Sequence, residues 1–310
     1  MRLATIQTPY GLRVGAAEHD GFLDLQGAAV LRSASEGVLL DAALERAQLQ
    51  LPAEMMRFLD AGEAARAEAE KALAFARSFP RTQVPWYPLE GTKLGPVVPN
   101  PKNIYILRGN YRSHRLEVAK RMKINTDKPA RPYYYTKPAT AVIGHEGKLM
   151  FPRISKEVQH EVELVVVLGK AGRHIPVDHA DDYIAGYTVG LDMSARDHLG
   201  ADGDARWKSF DTFFPTGPWI VPLRDVGNPN NLNLKLRVNG QPRQDGSTNE
   251  FDFTVAEVVS FISEAITLQP GDMISTGTPA GAGPVVPGDV IEAEIEKIGL
   301  LRCSVVAEDL

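Results

Sequence analysis

The stretch QHEVELVVVLGK sets Glu161 and Glu163 two residues apart, directly before the apolar run from Leu164 to Leu168. On a strand, that spacing points both carboxylates to the same face. The run that follows is of the kind buried on both sides of a sheet. Two like charges there repel each other and lose hydration, a cost that a bound divalent cation removes. Mg²⁺ takes oxygen ligands, several of them carboxylates. A third ligand is available from GYTVGLDMSARD, where Asp192 follows an apolar strand. A solvated strand face carrying both glutamates is the competing reading, and spacing alone does not decide between the two.

A second constellation lies in GNYRSHRLE, where His114 and Glu117 are three residues apart. On a helical turn this brings imidazole and carboxylate within reach of each other. A His held by a carboxylate suits general-base activation of water, because the carboxylate orients the ring and stabilises its protonated form. A surface His near a Glu is the plainer reading of the same spacing. Residues 108–131 also hold eight Lys or Arg against Glu117 and Asp127, the pattern of a basic flap over an anionic substrate or of an ordinary solvated segment. In ARWKSFDTFFPTGPW, Lys208 stands among aromatic residues, where an ammonium is costly without a partner. STGTPAGAG is a Gly-rich turn whose N–H groups and threonines Thr276 and Thr278 suit a carboxylate. It lacks the lysine of a P-loop, and GHEG at 144–147 lacks the second His of a zinc-protease motif.

The elements that must position these groups are mostly strands. RLATIQ, LRVGAAE and GFLDLQG read as short strands, and residues 38–79 read as helical from their spacing and strong helix formers. A proline-rich stretch at 80–101 reads as an extended linker, which divides the chain into a small N-terminal domain over 1–95 and a catalytic domain over 96–310. Beyond it, NIYILRG, EVELVVVLGK, YIAGYTVGLDMS, WIVPL and LNLKLRVNG read as strands. HRLEVAKRM reads as a short helix. TVAEVVSFISEAI reads as a longer one, capped by Thr254 with Glu257 completing a capping box. The fold class expected is mainly β (α+β). The 310 residues include one cysteine, Cys303, which excludes an intrachain disulfide and suits a reducing, cytoplasmic setting. A formal net charge of -5 gives no broad reason to bind nucleic acid, and no apolar run is long enough for a membrane span.

In this order the pieces resemble the fumarylacetoacetate hydrolase family. The resemblance rests on NYRSHRLE, YYYTKPATAVIG, HEVELVVVLGK, AGYTVGLDMSARD, WKSFDTFFPTGPWIV, LRVNGQPRQ and LQPGDMISTGTPAGAG, and runs from about residue 100 to the C-terminus. It implies a catalytic domain of mixed β-sheets rolled around a metal site, preceded by a small variable α+β domain and usually paired in a homodimer. By resemblance, Glu161, Glu163 and Asp192 are the metal triad for Mg²⁺, with Mn²⁺ as the alternative. His114 and Glu117 fall on the family's dyad, which is carried on a lid. Lys208 falls on the lysine of its K-S-F-D stretch, and Thr278 on its carboxylate-binding threonine. Tyr111, Arg196 and Gly277 are the further substrate-side positions.

The resemblance implies metal-dependent hydrolysis of a carbon–carbon bond in a small anionic 2,4-dioxo acid of the acylpyruvate or fumarylpyruvate type. The same site suits a 2-oxo acid decarboxylase or a 2-hydroxydienoate isomerase or hydratase, and the scaffold also suits a non-catalytic binding protein. Two positions depart from the family pattern. Gln159 stands where Asp is common, and Leu199 stands where a substrate-contacting Gln is common, so the substrate tail at that point is expected to be more apolar or differently shaped.

Overall fold

The computed structural model describes residues 1–123, 127–200 and 205–309. Its strands, among the described residues, form one sheet of 11 strands, one of 5 and one of 3. Every residue of Val162–Leu168 is buried, and this strand lies between Ile184–Leu191 and Met273–Ser275 at the centre of the large sheet. Leu164, Val166 and Leu168 enter one hydrophobic core, while Val165 and Val167 enter another. The strand is therefore apolar on both faces, which is why its sequence reads as a continuous run.

The first core is enclosed by the 5-stranded sheet, in the order Gln241–Ser247, Asn233–Val238, Val290–Ile295, Gly299–Ala307 and Gly147–Phe151. Helix Val255–Ala265 packs into the same core through Val255, Val258, Val259 and Ile262. Its capping box is formed as the sequence predicts, with Thr254 Oγ1 accepting from the Glu257 N–H and the Glu257 carboxylate accepting from the Thr254 N–H.

The second core lies beneath the N-terminal helices Leu25–Ser35, Leu40–Gln50, Met55–Asp60 and Gly62–Arg77. The strands Arg2–Thr8, Gly11–Glu18 and Gly21–Asp24 form a meander that joins the large sheet where Leu3 sits opposite Ile220. The sequence reads GFLDLQG as a strand throughout, but the chain turns into a helix after Asp24. The Asp24 carboxylate accepts the Gly27 N–H at 3.2 Å and so caps that helix. The architecture is a mixed α+β fold, and no helix among the described residues is long and apolar enough to cross a membrane.

Candidate active site

Glu161 does not continue a single strand with Glu163. It sits between Val158–His160, which belongs to the 3-stranded sheet, and Val162–Leu168 of the large sheet. The change of sheet bends the chain, yet the two carboxylates still converge. Asp192, just past the end of Ile184–Leu191, is tied to this bend because its N–H donates to the Glu161 carbonyl at 2.9 Å. One oxygen from each of Glu161, Glu163 and Asp192 lies within 4.8 Å of the others, and all three side chains are buried.

Three cations offset the three carboxylates. Lys208 Nζ donates to Glu161 Oε2 at 2.7 Å and also to Asp192 Oδ2. Arg196 Nη2 donates to Glu161 Oε1. Lys137 Nζ lies 2.9 Å from Asp192 Oδ1, close enough for an ion pair although off the hydrogen-bond direction. Glu163 is held by neutral donors, since Ser275 Oγ and the Gly277 N–H both donate to its Oε2, at 2.6 and 2.8 Å.

These surroundings move the acid–base equilibria in opposite senses. Burial alone would push the Glu161 carboxyl up, but Lys208, Arg196 and His114 outweigh it and hold it well below the ordinary range. Burial, with Asp192 and Glu161 beside it, pushes Glu163 up. Burial also works against a charged Lys208, and the two carboxylates it bridges more than reverse this, so it stays an ammonium. The donor set is all oxygen, buried and convergent, which fits a hard divalent cation such as Mg²⁺ or Mn²⁺.

Lys137 is the member of this cluster that sequence reasoning passes over. It is fully enclosed and donates to the carbonyls of Met193, Lys208 and Phe213, at 3.1, 2.5 and 3.0 Å. Burial brings its ammonium down to about 8. The available signal is YYYTKPAT, a lysine embedded among strand residues like Lys208 among its aromatics. Gln159 holds a neighbouring cation in place, since its Oε1 accepts from Arg196 Nε at 2.9 Å. Arg196 also lies over the Trp207 ring, 5.0 Å from its centroid, so this guanidinium is fixed on two sides.

The dyad lies on helix Arg112–Met122. His114 Nδ1 is 3.5 Å from Glu117 Oε2, outside hydrogen-bond geometry, and burial holds the imidazole below its ordinary value. The Glu117 carboxylate instead accepts the Gly281 N–H at 3.2 and 3.3 Å. Arg115 makes a two-point ion pair with Asp252, and the Ser113 N–H donates to Glu250, so the first turn of the helix is fastened to residues 250–252. Gly281 has φ +94°, and a Cβ there would come within 2.3 Å of the Arg243 carbonyl oxygen, which requires glycine at this contact. Residues 124–126 of the basic segment lie outside the described residues.

A cavity of about 440 Å³ opens between this helix and the carboxylates. Glu161, Glu163, His114, Lys208 and Thr278 are among its polar lining, and Val118, Ala119, Leu199 and Trp207 are among its apolar lining. Arg108 and Arg121 also reach it. Leu199 therefore faces the cavity with an apolar side chain, at the position where the sequence resemblance leads one to expect Gln. Tyr111 is fully buried and is not among the residues that line this cavity; it is stacked edge-on against Phe251 with centroids 4.8 Å apart, and its hydroxyl has no hydrogen-bond partner among the described residues. The Gly277 N–H is directed at Glu163.

Residues 103–306 match the family described as fumarylacetoacetate (FAA) hydrolase C-terminal. Oxaloacetate tautomerase FAHD2A, mitochondrial, from Bos taurus is 37% identical over 318 residues, covering 99% of this chain and 92% of the relative. The solved structure of maleylpyruvate hydrolase from Sphingobium sp. SYK-6, in complex with manganese(II) ion and pyruvate, is 30% identical with a TM-score of 0.76, covering 100% of both chains. That of 5-carboxymethyl-2-hydroxymuconate delta-isomerase from Mycobacterium smegmatis is 29% identical with a TM-score of 0.73, again over 100% of both. The relatives carry the names of a tautomerase, a hydrolase and an isomerase. By the extent of these matches, the chain belongs to the fumarylacetoacetate hydrolase family of enzymes.

Proposed function

We propose that the chain is a divalent-metal-dependent enzyme acting on a small anionic 2-oxo acid, and that it hydrolyses the carbon–carbon bond of a 2,4-dioxo acid of the acylpyruvate type. The observation that carries this reading is the buried acidic triad, whose Glu161 and Glu163 line the same cavity as His114 and Lys208. The solved relative that holds manganese(II) and pyruvate supports both the metal and the 2-oxo acid. Charge supports it too. The three carboxylates are balanced by Lys137, Lys208 and Arg196, so a divalent ion leaves an excess of two positive charges for an anionic substrate. Held by Glu161, Glu163 and Asp192, Mg²⁺ or Mn²⁺ would supply Lewis-acid stabilisation of negative charge on the 2-oxo oxygen.

The remaining steps belong to side chains. Thr278 donates a hydrogen bond from its hydroxyl to the substrate carboxylate and so fixes the 2-oxo end. His114 takes a proton from water, whose oxygen bonds to the distal carbonyl carbon. The carbonyl electron pair moves onto its oxygen, where the Lys208 ammonium donates a hydrogen bond. The carbon–carbon bond then breaks, its electron pair leaves with the pyruvate fragment, and the proton on His114 returns to that carbon. The products are pyruvate and a carboxylic acid, and the apolar lining residues Leu199, Val118 and Ala119 receive the acyl tail.

A second reading is keto–enol tautomerisation of oxaloacetate, favoured by the near full-length relative from Bos taurus. It needs His114 only to carry a proton between carbon and oxygen, with no water. The test is to incubate the protein with acylpyruvates, oxaloacetate and hydroxymuconate-type acids, with Mg²⁺, Mn²⁺ or EDTA, and to identify products by mass and by loss of enol absorbance. Pyruvate plus acid from an acylpyruvate, suppressed by EDTA, is the expected result. Acceleration of oxaloacetate enol loss alone would favour the second reading, and no metal-dependent turnover of any of them would overturn both.

A further inference from the structure

Gln241–Ser247 is an edge strand with mostly exposed side chains, and its one buried residue is an amide, Gln244. A buried amide is costly unless all its hydrogen-bonding groups are used. Here they are. Gln244 Oε1 accepts the Val162 N–H at 3.1 Å and faces His160 Nδ1 at 3.2 Å. Gln244 Nε2 donates to Thr278 Oγ1 at 2.8 Å and to the Pro279 carbonyl at 3.0 Å. The amide can point only one way. Turned over, it would set its NH₂ against the Val162 N–H and its oxygen against the Pro279 carbonyl.

That orientation has a consequence for the neighbouring hydroxyl. Thr278 Oγ1 already accepts a proton from Gln244, so its own proton is left to point elsewhere, and Thr278 lines the cavity. Among the described residues no protein acceptor takes that proton. Gln244 is itself absent from the cavity wall. We propose that Gln244 is a positioning residue for substrate: it fixes the Thr278 hydroxyl as a hydrogen-bond donor toward the cavity, selecting the carboxylate of an anionic ligand there. The inference rests on the 2-oxo acid reading above, and adds the residue that gives the site its preference for an acceptor. The same amide joins the bend at residues 160–162 to the Gly-rich turn, adding to the bonds that Ser275 and Gly277 make to Glu163.

The test is a double-mutant cycle between Gln244→Met and Thr278→Val, read as oxalate affinity by calorimetry in the presence of Mn²⁺. Oxalate serves as a planar analogue of the pyruvate enolate. Each single substitution should weaken oxalate roughly tenfold, and the double variant should be within about twofold of Thr278→Val alone, because Gln244 acts through that hydroxyl. Mn²⁺ affinity of Gln244→Met should match the unmodified protein. If Gln244→Met fails to fold, Gln244→Glu keeps the side chain's shape and its acceptor for Val162 but recruits the Thr278 proton. It should weaken oxalate more than tenfold, and most of that effect should vanish in the Thr278→Val background. Multiplicative losses in the double variant, unchanged oxalate binding in the Gln244 variants, or loss of Mn²⁺ binding in Gln244→Met would each overturn the proposal. If the unmodified protein with Mn²⁺ binds no oxalate, the 2-oxo acid reading fails and this inference goes with it. Loss confined to Thr278→Val would sink the inference alone.

Discussion

Alanines fill much of the space between the N-terminal helices: Ala43, Ala47, Ala65, Ala69 and Ala72 are all buried in one core. The interior around residue 161 is filled instead by three carboxylates with Lys137, Lys208 and Arg196 pressed against them. Both regions are buried, but burial is achieved by different physics. Apolar contacts are non-directional, so the helical layer is a sum of small independent contributions. In the charged cluster, Glu161, Asp192 and the three cations are tolerated because they face one another, and removal of one strands its partners. The helical layer is thus the support that can be altered piecemeal, and the cluster behaves as a unit.

The largest break in that unit is expected from Asp192→Ala, which leaves Lys137 and Lys208 facing a reduced counter-charge. Loss of one partner of a buried pair costs about 3–5 kcal/mol, so urea melts should show a loss of that order together with abolished turnover. His114→Ala comes next, with kcat falling by about 10²–10⁴-fold while Mn²⁺ affinity stays near that of the unmodified protein. The pH–rate profile sharpens the same point. A base must be neutral, and burial holds His114 below its ordinary 6.5 against the pull of Glu161 and Glu117, with Arg196 and Lys208 adding to the lowering. The rate should therefore rise with pH through a value under 6.5 and stay high above it, and the acid limb should disappear in His114→Ala.

In the helical layer the effects should be smaller and confined to stability. Ala69→Leu forces extra methylenes into a filled core, at a cost of about 1–3 kcal/mol, with kcat of the folded protein unchanged. The smallest change is expected from Thr254→Ala, which removes the cap of Val255–Ala265 for about 1 kcal/mol in a thermal melt.

Much of this contrast is legible in the sequence, for identifiable reasons. Carboxylates before a valine run stand out because charge in an apolar strand needs explanation, and Glu161, Glu163 and Asp192 do meet within 4.8 Å. The capping box at Thr254 and Glu257 is local chemistry, readable from four residues. What escapes is whatever depends on distant partners. Helix Leu25–Ser35 starts at an Asp that reads equally well as part of a strand end, and only the Gly27 N–H shows its capping role. The break at Glu161 is invisible because Val158–His160 pairs with Gly283–Val285, more than a hundred residues away. Lys137 and Gln244 look like ordinary surface types, and their burial follows from carbonyls and hydroxyls that arrive from remote turns.

Glu161, Glu163 and Asp192 are expected to form one site for a divalent ion, and titration of the metal-free protein with Mn²⁺, followed by electron paramagnetic resonance, will test this. One tightly held ion per chain should be seen, displaced by Mg²⁺ and lost when Glu163 is replaced by Gln. That variant keeps the side chain's size and removes only its charge. Absence of binding, or a Glu163→Gln variant that holds Mn²⁺ as tightly as the unmodified protein, would contradict it.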